Sequence, residues 1–547
     1  VTLVIVTFFL TIFGTFMTRS GVVQSVHAFG EDRELALLFT LFMIAILTFS
    51  FGLVIYRLPL LRARHSLDSY ISREAAFLAN NWILLFSAFF VLFATMFPTL
   101  SEALRHERLT VGPAFFNKWM LPIGLALLLL TGIGPLLAWR KSTVSNLAQQ
   151  FLWPTTAAVV SGVVLYVLGV RVWASTTCFA LSAFVFTTVG QELVRGAQVR
   201  KGATGTDILT AMIGLVGRSR RRYGGYVVHL GIVLMFIGFA GQGFKKDEQV
   251  QLKVGQQTTV GAFTVRHDAL RVTSDAQKQM VTGHVTVFNN GKEAGTMEPA
   301  RWYFAKHEEE PTTEVAIRRA PAEDLYIVLA GFDAATQAAT YAITVNPLVN
   351  WIWFGFAVMA LGTGLALLPE TAFAFAAGKV PAVAPGAATT SLLILLLLLP
   401  ATAFAQTSGD VQAVARSATE RQLEGEILCT CGCRRSLKDC GMPNCQGHAA
   451  QTAKMRQLLS EGKDHDAVVA AFIRDFGGQD ILSAPVDKGF NRLAWFFPYL
   501  IGATGAASVA VVAFRWSRRD PGGDAPVPPS DDPDLRAKLD DELRDLD

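Results

Sequence analysis

The chain has 547 residues, 51% of them apolar and only 17% charged, with 39 phenylalanines and a mean hydropathy of +0.37. A composition this apolar excludes an ordinary soluble domain and reads as a membrane protein. The formal net charge of +4 is too small to mark a nucleic-acid binder, so the placement of the basic residues carries the information.

Hydropathy predicts ten spans, at roughly 1–17, 34–57, 82–98, 119–139, 154–171, 175–193, 225–242, 349–369, 385–402 and 494–514. The first begins with no polar residue or Met before it, which leads us to expect that the chain starts inside a larger protein. Arg57, Arg62 and Arg64 follow the second span, Arg140 and Lys141 the fourth, Arg195 to Arg222 the sixth, and Arg515, Arg518 and Arg519 the tenth. Basic residues in short loops stay on the cytoplasmic side, so loops 18–33, 99–118, 243–348 and 403–493 are expected outside, with Arg171 as the one dissenting charge. The cluster Arg218, Arg220, Arg221 and Arg222 reads as an anchor to anionic lipid rather than to nucleic acid.

After the first span, GTFMTRSGVVQSVHAFG places His27 beside Phe29 at the membrane face. Such an imidazole suits a haem ligand, a proton carrier or a hydrogen-bonded surface residue. Asn80 and Asn81 stand at the entrance of the third span, where they are expected to cap or pin helices. His229 lies within the seventh span, RRYGGYVVHLGIVLMFIGFAG. A histidine in hydrocarbon is costly without a partner and is therefore a functional candidate. Gly224, Gly225 and Gly231 leave room beside it for a helix or a flat cofactor.

Residues 243–348 alternate with period two, and Asn290–Gly291 is a hairpin signal, so an outside β-rich domain is predicted there. A Gly/Ala/Pro-rich linker, 370–390, precedes SLLILLLLLPATAFAQ, a signal-like or spanning run at 391–405. From 406 to 493 the reading is helical, with Met455, Leu458 and Leu459, then Val468, Val469, Phe472 and Ile473, at spacings of three and four around Gly462. The tail 515–547 is acidic, Pro-rich and expected to be disordered.

RQLEGEILCTCGCRRSLKDCGMPNCQGH, residues 421–448, holds five of the six cysteines, while Cys178 lies alone in an apolar run. Cys429, Cys431, Cys433, Cys440 and Cys445 admit three accounts: thiol–disulfide exchange, a metal site with His448 in reach, or a structural disulfide cluster. A thiol beside Arg434, Arg435 and Lys438 on an exposed loop would carry a stabilised thiolate.

Residues 1 to about 369 resemble the carboxyl-terminal part of the CcmF family, through GTFMTRSGVVQSVHAF, SREAAFLANNWILLFSAFFVLFATMFPTLSEAL, VGPAFFNKWMLPIGLALLLLTGIGPLLAWR, HLGIVLMFIGFAG, EPARWYF and NPLVNWIWFG. Residues 391–515 resemble the CcmH family of thiol proteins, through the cysteine stretch, LLSEGKDHDAVVAAFIRDFGGQDILSAP and LAWFFPYL. The resemblance implies a polytopic α-helical membrane protein of the bacterial inner membrane. Its helical bundle would span 1–242, a periplasmic β-rich domain 243–348, a further span 349–369, a small helical thiol domain 406–493 and the last span 494–514. The implied function is a part in cytochrome c haem ligation, joining haem b vinyl groups to the CxxCH cysteines of apocytochrome c. A non-enzymatic assembly or chaperone role is the competing reading. By the same resemblance His27 and His229 are haem-iron ligands, with the tryptophan-rich haem segment and the partner histidines expected from an upstream portion or subunit. The other implied partners are a haem-delivery chaperone and further thiol-redox maturation proteins. The family's thiol pair has C-x-x-C spacing and no pair here does, so the resemblance points to Cys429 as attacking thiol with Cys431 or Cys433, and to Cys440 with Cys445 as a structural bridge.

Overall fold

The computed structural model describes residues 1–19, 33–61, 69, 71–107, 109–137, 144–305, 307–368, 418–430, 436–440 and 445–517. They fall into two compact units, one of Val1–Ala75 with the residues from Phe496 on, the other of Ala76–Trp495. In the first unit α1 (Thr2–Arg19) packs against α2 (Arg33–Tyr56), two helices apolar nearly all round, as lipid-facing helices are.

The boundary between the units falls within α3 (Arg73–Arg105), whose first turn is capped by the Ser72 hydroxyl accepting the Ala75 N–H at 3.1 Å. Asn80 and Asn81 therefore sit inside this helix rather than at its start. α4 (Pro113–Leu136), α5 (Val144–Val167), α6 (Trp173–Thr204), α7 (Ile208–Arg218), α8 (Arg220–Ala240) and α9 (Asn350–Leu367) complete the bundle. Asp207 caps α7 by accepting the Leu209 and Thr210 N–H groups. Among the described residues eight helices, α1 to α6, α8 and α9, are long and apolar enough to cross a membrane, which makes this a multi-pass membrane protein. The expected span 385–402 lies outside the described residues, and the tenth is a helix, Arg492–Ser517.

Leu128 of α4, Val185 and Val189 of α6, and Tyr223 and Val233 of α8 form the buried centre of the bundle. Where α6 and α8 meet, Arg222 donates to the buried Glu192 carboxylate at 2.9 Å, with the Tyr226 hydroxyl 3.5 Å from the same oxygen. α8 and α9 approach each other closely. Added Cβ atoms at Gly224, Gly231 and Gly238 would come within 3.0 Å of α9 atoms, and Gly355 and Gly362 face back in the same way. Glycines seven apart return to nearly the same helix face, so the two backbones touch along one seam.

That helix pair continues as a strand pair. β1 (Lys246–Leu252) follows α8, β10 (Ala338–Pro347) leads into α9, and they pair antiparallel from Lys246↔Val345 to Leu252↔Ala339. Two sheets pack over one core: β1-β10-β9-β8, and β2-β3-β4-β6-β7 with β5 on β4. Their strands are β2 (Gln257–Val260), β3 (Phe263–Ser274), β4 (Lys278–Asn289), β5 (Lys292–Met297), β6 (Ala300–Phe304), β7 (His307–Glu314), β8 (Ala316–Arg318) and β9 (Glu323–Asp333). Asn290 and Gly291, at φ 49° and 78°, make the expected β4–β5 turn. His267 is a core residue: its ring nitrogens meet the Gln337 carbonyl at 3.0 Å and the Tyr341 hydroxyl at 2.9 Å.

The carboxyl-terminal part is helical. α10 (Ala418–Glu426), α11 (Gln446–Ser460) and α12 (His465–Asp475) pack around Leu423, Ile427, Met455 and Phe472, all fully buried. Each such side chain contributes about 1.5–3 kcal/mol. Gly462, at φ 77°, makes the turn between α11 and α12. Burial works against protonation of His465, but its bonds to Asp466 and Glu426 prevail and hold its pKa above the ordinary value, joining α12 to α10.

This domain rests on the α3–α4 turn. The Gly112 N–H donates to the Ser483 carbonyl at 2.6 Å, Phe115 meets Trp495 edge-on at 4.9 Å, and Lys118 lies over the Trp495 ring. Lys438 pairs with Asp247 of β1 at 3.5 Å. The glycine seam gives a signed prediction for the bundle. Gly231→Ala should cost about 1–3 kcal/mol by forcing α9 away, whereas Gly225→Ala, whose Cβ meets nothing within 4 Å, should be neutral or stabilising. Thermal unfolding of the purified protein in detergent checks it, and equal shifts for the two variants would contradict the seam.

Candidate functional site

Two places carry unusual chemistry. The first is His229 on α8. Its Nδ1 is buried and has no hydrogen-bond partner, whereas the buried His267 has both nitrogens engaged. Gly225 lies one turn away on the same face, and a side chain there would enter open space. The three glycines therefore divide their work: Gly224 and Gly231 admit α9, and Gly225 keeps the approach to the imidazole clear. An unpaired ring nitrogen beside a clear face is the donor a haem iron needs, so the described residues fit half of a bis-imidazole site. His27 lies outside the described residues.

The second place is the cysteine stretch. After α10 the chain runs as a strand-like segment: Ile427 bridges Leu482, Leu428 bridges Ser436, and the Leu428 N–H donates to the Ile481 carbonyl at 2.6 Å. Gln451, fully buried on α11, accepts the Thr430 N–H at 3.0 Å and donates to the Leu428 carbonyl at 3.0 Å. It thus grips the backbone on both sides of Cys429. Cys440 ends the short turn Leu437–Asp439, and Cys445 caps α11, its Sγ accepting the His448 N–H at 3.2 Å.

These supports bring three sulfurs together. The Sγ atoms of Cys429 and Cys445 are 3.4 Å apart, and those of Cys429, Cys440 and Cys445 all lie within 4.8 Å of one another. The residues are 5%, 2% and 8% exposed. Two expectations change here. Cys429 is buried rather than carried on an exposed polar loop, because the bridges at 427–428 and the Gln451 grip draw it into the domain core. Cys440 and Cys445 do not stand apart: they share one group with Cys429. Cys431 and Cys433 lie outside the described residues. His448 contributes its backbone N–H, and Lys438 is turned to Asp247.

Sequence reasoning missed Gln451. The available signal was its place on the apolar stripe of α11, four residues before Met455 and seven before Leu458. Gln451→Leu leaves the Leu428 carbonyl and the Thr430 N–H without this partner and should cost about 1–3 kcal/mol. Iodoacetamide should then label Cys429 faster than in the parent, read by mass spectrometry. An unchanged labelling rate would contradict the grip.

Residues 243–347 match the family model described as CcmF C-terminal beta-sandwich, and residues 392–541 match that of CcmH, Cytochrome C biogenesis protein. The chain is 30% identical over 371 residues to Cytochrome c-type biogenesis protein CcmF of Pseudomonas aeruginosa, covering 67% of this chain and 54% of that protein. It is 32% identical over 368 residues to Cytochrome c-type biogenesis protein CycK of Rhizobium meliloti, covering 66% and 53%. The chain therefore spans about half the length of these curated relatives. A solved structure, Cytochrome c Heme Lyase CcmF, superposes with a TM-score of 0.49 at 21% identity, over 63% of this chain and 52% of that one. In one polypeptide, then, the chain joins a CcmF-like membrane portion, with its carboxyl-terminal β-sandwich, to a CcmH-like cysteine-bearing portion.

Proposed function

We propose that this chain is a component of the machinery that ligates haem to apocytochrome c, holding haem through its bundle and handling apocytochrome thiols through its carboxyl-terminal domain. One observation carries the reading: a CcmF-like bundle with an unpaired buried imidazole and a CcmH-like thiol domain occur in the same chain. The setting is the bacterial inner membrane, with the β-sandwich and the thiol domain on the periplasmic side. The partners are apocytochrome c, a haem-delivery chaperone, an upstream CcmF-like portion or subunit and other thiol-redox proteins.

Haem b, when bound, supplies an iron that accepts an imidazole nitrogen. His229 would offer that nitrogen from α8, and the open space at Gly225 would admit the flat ring. His27 is assigned to the haem that serves as substrate, on the outside face. Thioether formation adds a cysteine S–H across a vinyl group: the S–C bond forms at one carbon and the proton goes to the other. Only a reduced cysteine can do this, which is why a thiol domain belongs in the same chain.

The exchange step is a thiolate attack on an oxidised CxxCH pair. A mixed disulfide forms and one substrate thiolate leaves. A second thiol of the domain then releases the reduced substrate and leaves a disulfide in the domain, which other thiol-redox proteins re-reduce. We assign this exchange to the stretch containing Cys429, Cys431 and Cys433. The burial of Cys429 beside Cys445 argues for Cys431 or Cys433 as the attacking thiol within it.

The pyridine haemochrome spectrum of the assembled complex tests the haem assignment. His229→Ala should bring the bundle haem to background, and equal haem in variant and parent would overturn it. Reconstitution with the natural partners separates ligation from assembly. Thioether formation supports the ligation reading, and its absence in a complex loaded with haem and reduced apocytochrome would leave the chain an assembly subunit.

A further inference from the structure

We propose that Cys429, Cys440 and Cys445 form a thiolate site for a zinc ion that organises the carboxyl-terminal domain. The proposal goes beyond the haem reading and does not depend on it. It starts from convergence: three sulfurs contributed by three chain segments lie mutually within 4.8 Å. One buried cysteine is an ordinary small apolar residue and needs no explanation. Three at one point are an arrangement that chain packing alone has no reason to produce, because their backbones are held by separate devices. The 427–428 bridges and Gln451 place Cys429, the turn Leu437–Asp439 places Cys440, and the start of α11 places Cys445.

The dimensions fit a tetrahedral thiolate centre. Zinc–sulfur bonds of about 2.3 Å at tetrahedral angles put the sulfurs about 3.8 Å apart. The observed separations, 3.4 Å for one pair and under 4.8 Å for all, need only small side-chain adjustment to reach it. A disulfide account uses two sulfurs and leaves the third in the same buried spot. The spacing from Cys440 to Cys445 is C-x4-C, within the range of structural zinc ligands.

Electrostatics favours a cation at this point. Three thiolates at 2–8% exposure would concentrate negative charge away from water, which is prohibitive without a compensating ion. Zinc deprotonates its thiol ligands and neutralises most of that charge. The His448 N–H bond to the Cys445 sulfur supplies the outer support that metal-bound thiolates commonly receive. Three thiolates leave the fourth position of the ion to a further donor. Cys440 and Cys445 are in this account ligands and not a covalent bridge, and the domain core around Leu423, Met455 and Phe472 is closed from one side by the metal.

The test uses the full chain purified in mild detergent under reducing conditions from zinc-supplemented cells. Elemental mass spectrometry should find about one zinc per chain, and Cys440→Ser and Cys445→Ser should each lower it at least tenfold. Cobalt exchanged into the parent chain should show sulfur-to-metal charge-transfer absorption and intense tetrahedral bands in the visible. That measurement decides the matter if the serine variants do not fold. Less than a tenth of an equivalent of zinc, zinc retained in both serine variants, octahedral cobalt spectra, a full equivalent of another metal, or a Cys429–Cys445 disulfide in the purified chain would each overturn the proposal. Haem is read separately in the same preparation, so failure here and failure of the haem assignment are distinguishable.

Discussion

The close approach of α8 and α9 is the contact on which the rest of the second unit depends. Glycine at 224, 231 and 238 on one helix, and at 355 and 362 on the other, lets the two backbones meet without side chains between them. The pair leaves the bundle as β1 and β10, already side by side and in register, so the sandwich is rooted in the helix seam. Gly241 carries the contact through the junction, its position facing the Pro347 carbonyl. The same seam fixes the rotation of α8, and His229 lies four residues after Gly225, on that glycine's side of the helix. Fold and candidate haem ligand thus follow from one spacing of small residues.

The thiol domain is tied to that framework at two points. The Gly112 bond to Ser483, backed by Phe115 and Lys118 on Trp495, holds it to the α3–α4 turn, and Lys438 with Asp247 holds it to the first strand of the sandwich. The exposed ion pair contributes little by itself. The backbone bond and the aromatic contact define the position, and a side chain at Gly112 would collide with the Ser483 carbonyl at 2.8 Å. These contacts keep the thiol domain beside the first strand of the sandwich and the α3–α4 turn.

Much of the fold was legible because it is written in short-range pattern. Period-two runs and Asn290–Gly291 gave the strands and their turn, and Gly462 between two apolar stripes gave the helical hairpin. Asn80 and Asn81 misled for a physical reason: they lie inside α3, which begins at Arg73 under the Ser72 cap, well before the apolar run that marks the span. The glycines around His229 were legible as a group, but only the packing shows that Gly224 and Gly231 serve α9 while Gly225 serves the open face. The thiol site was legible as a concentration of cysteines and not as a geometry. Which sulfurs meet is decided by Gln451, reaching from α11 to the backbone around Cys429, and by Cys445 standing at a helix start. No spacing within the cysteine stretch contains that information.

Burial of the three thiols and a buried imidazole nitrogen without a hydrogen-bond partner are separate facts, joined by a single functional account. The most direct measurement is covalent haem in the c-type cytochromes of cells lacking this gene, read by in-gel haem peroxidase staining. The account predicts loss of the stained cytochrome bands with their recovery on re-expression of the chain. Unchanged staining in the deletion strain would contradict it.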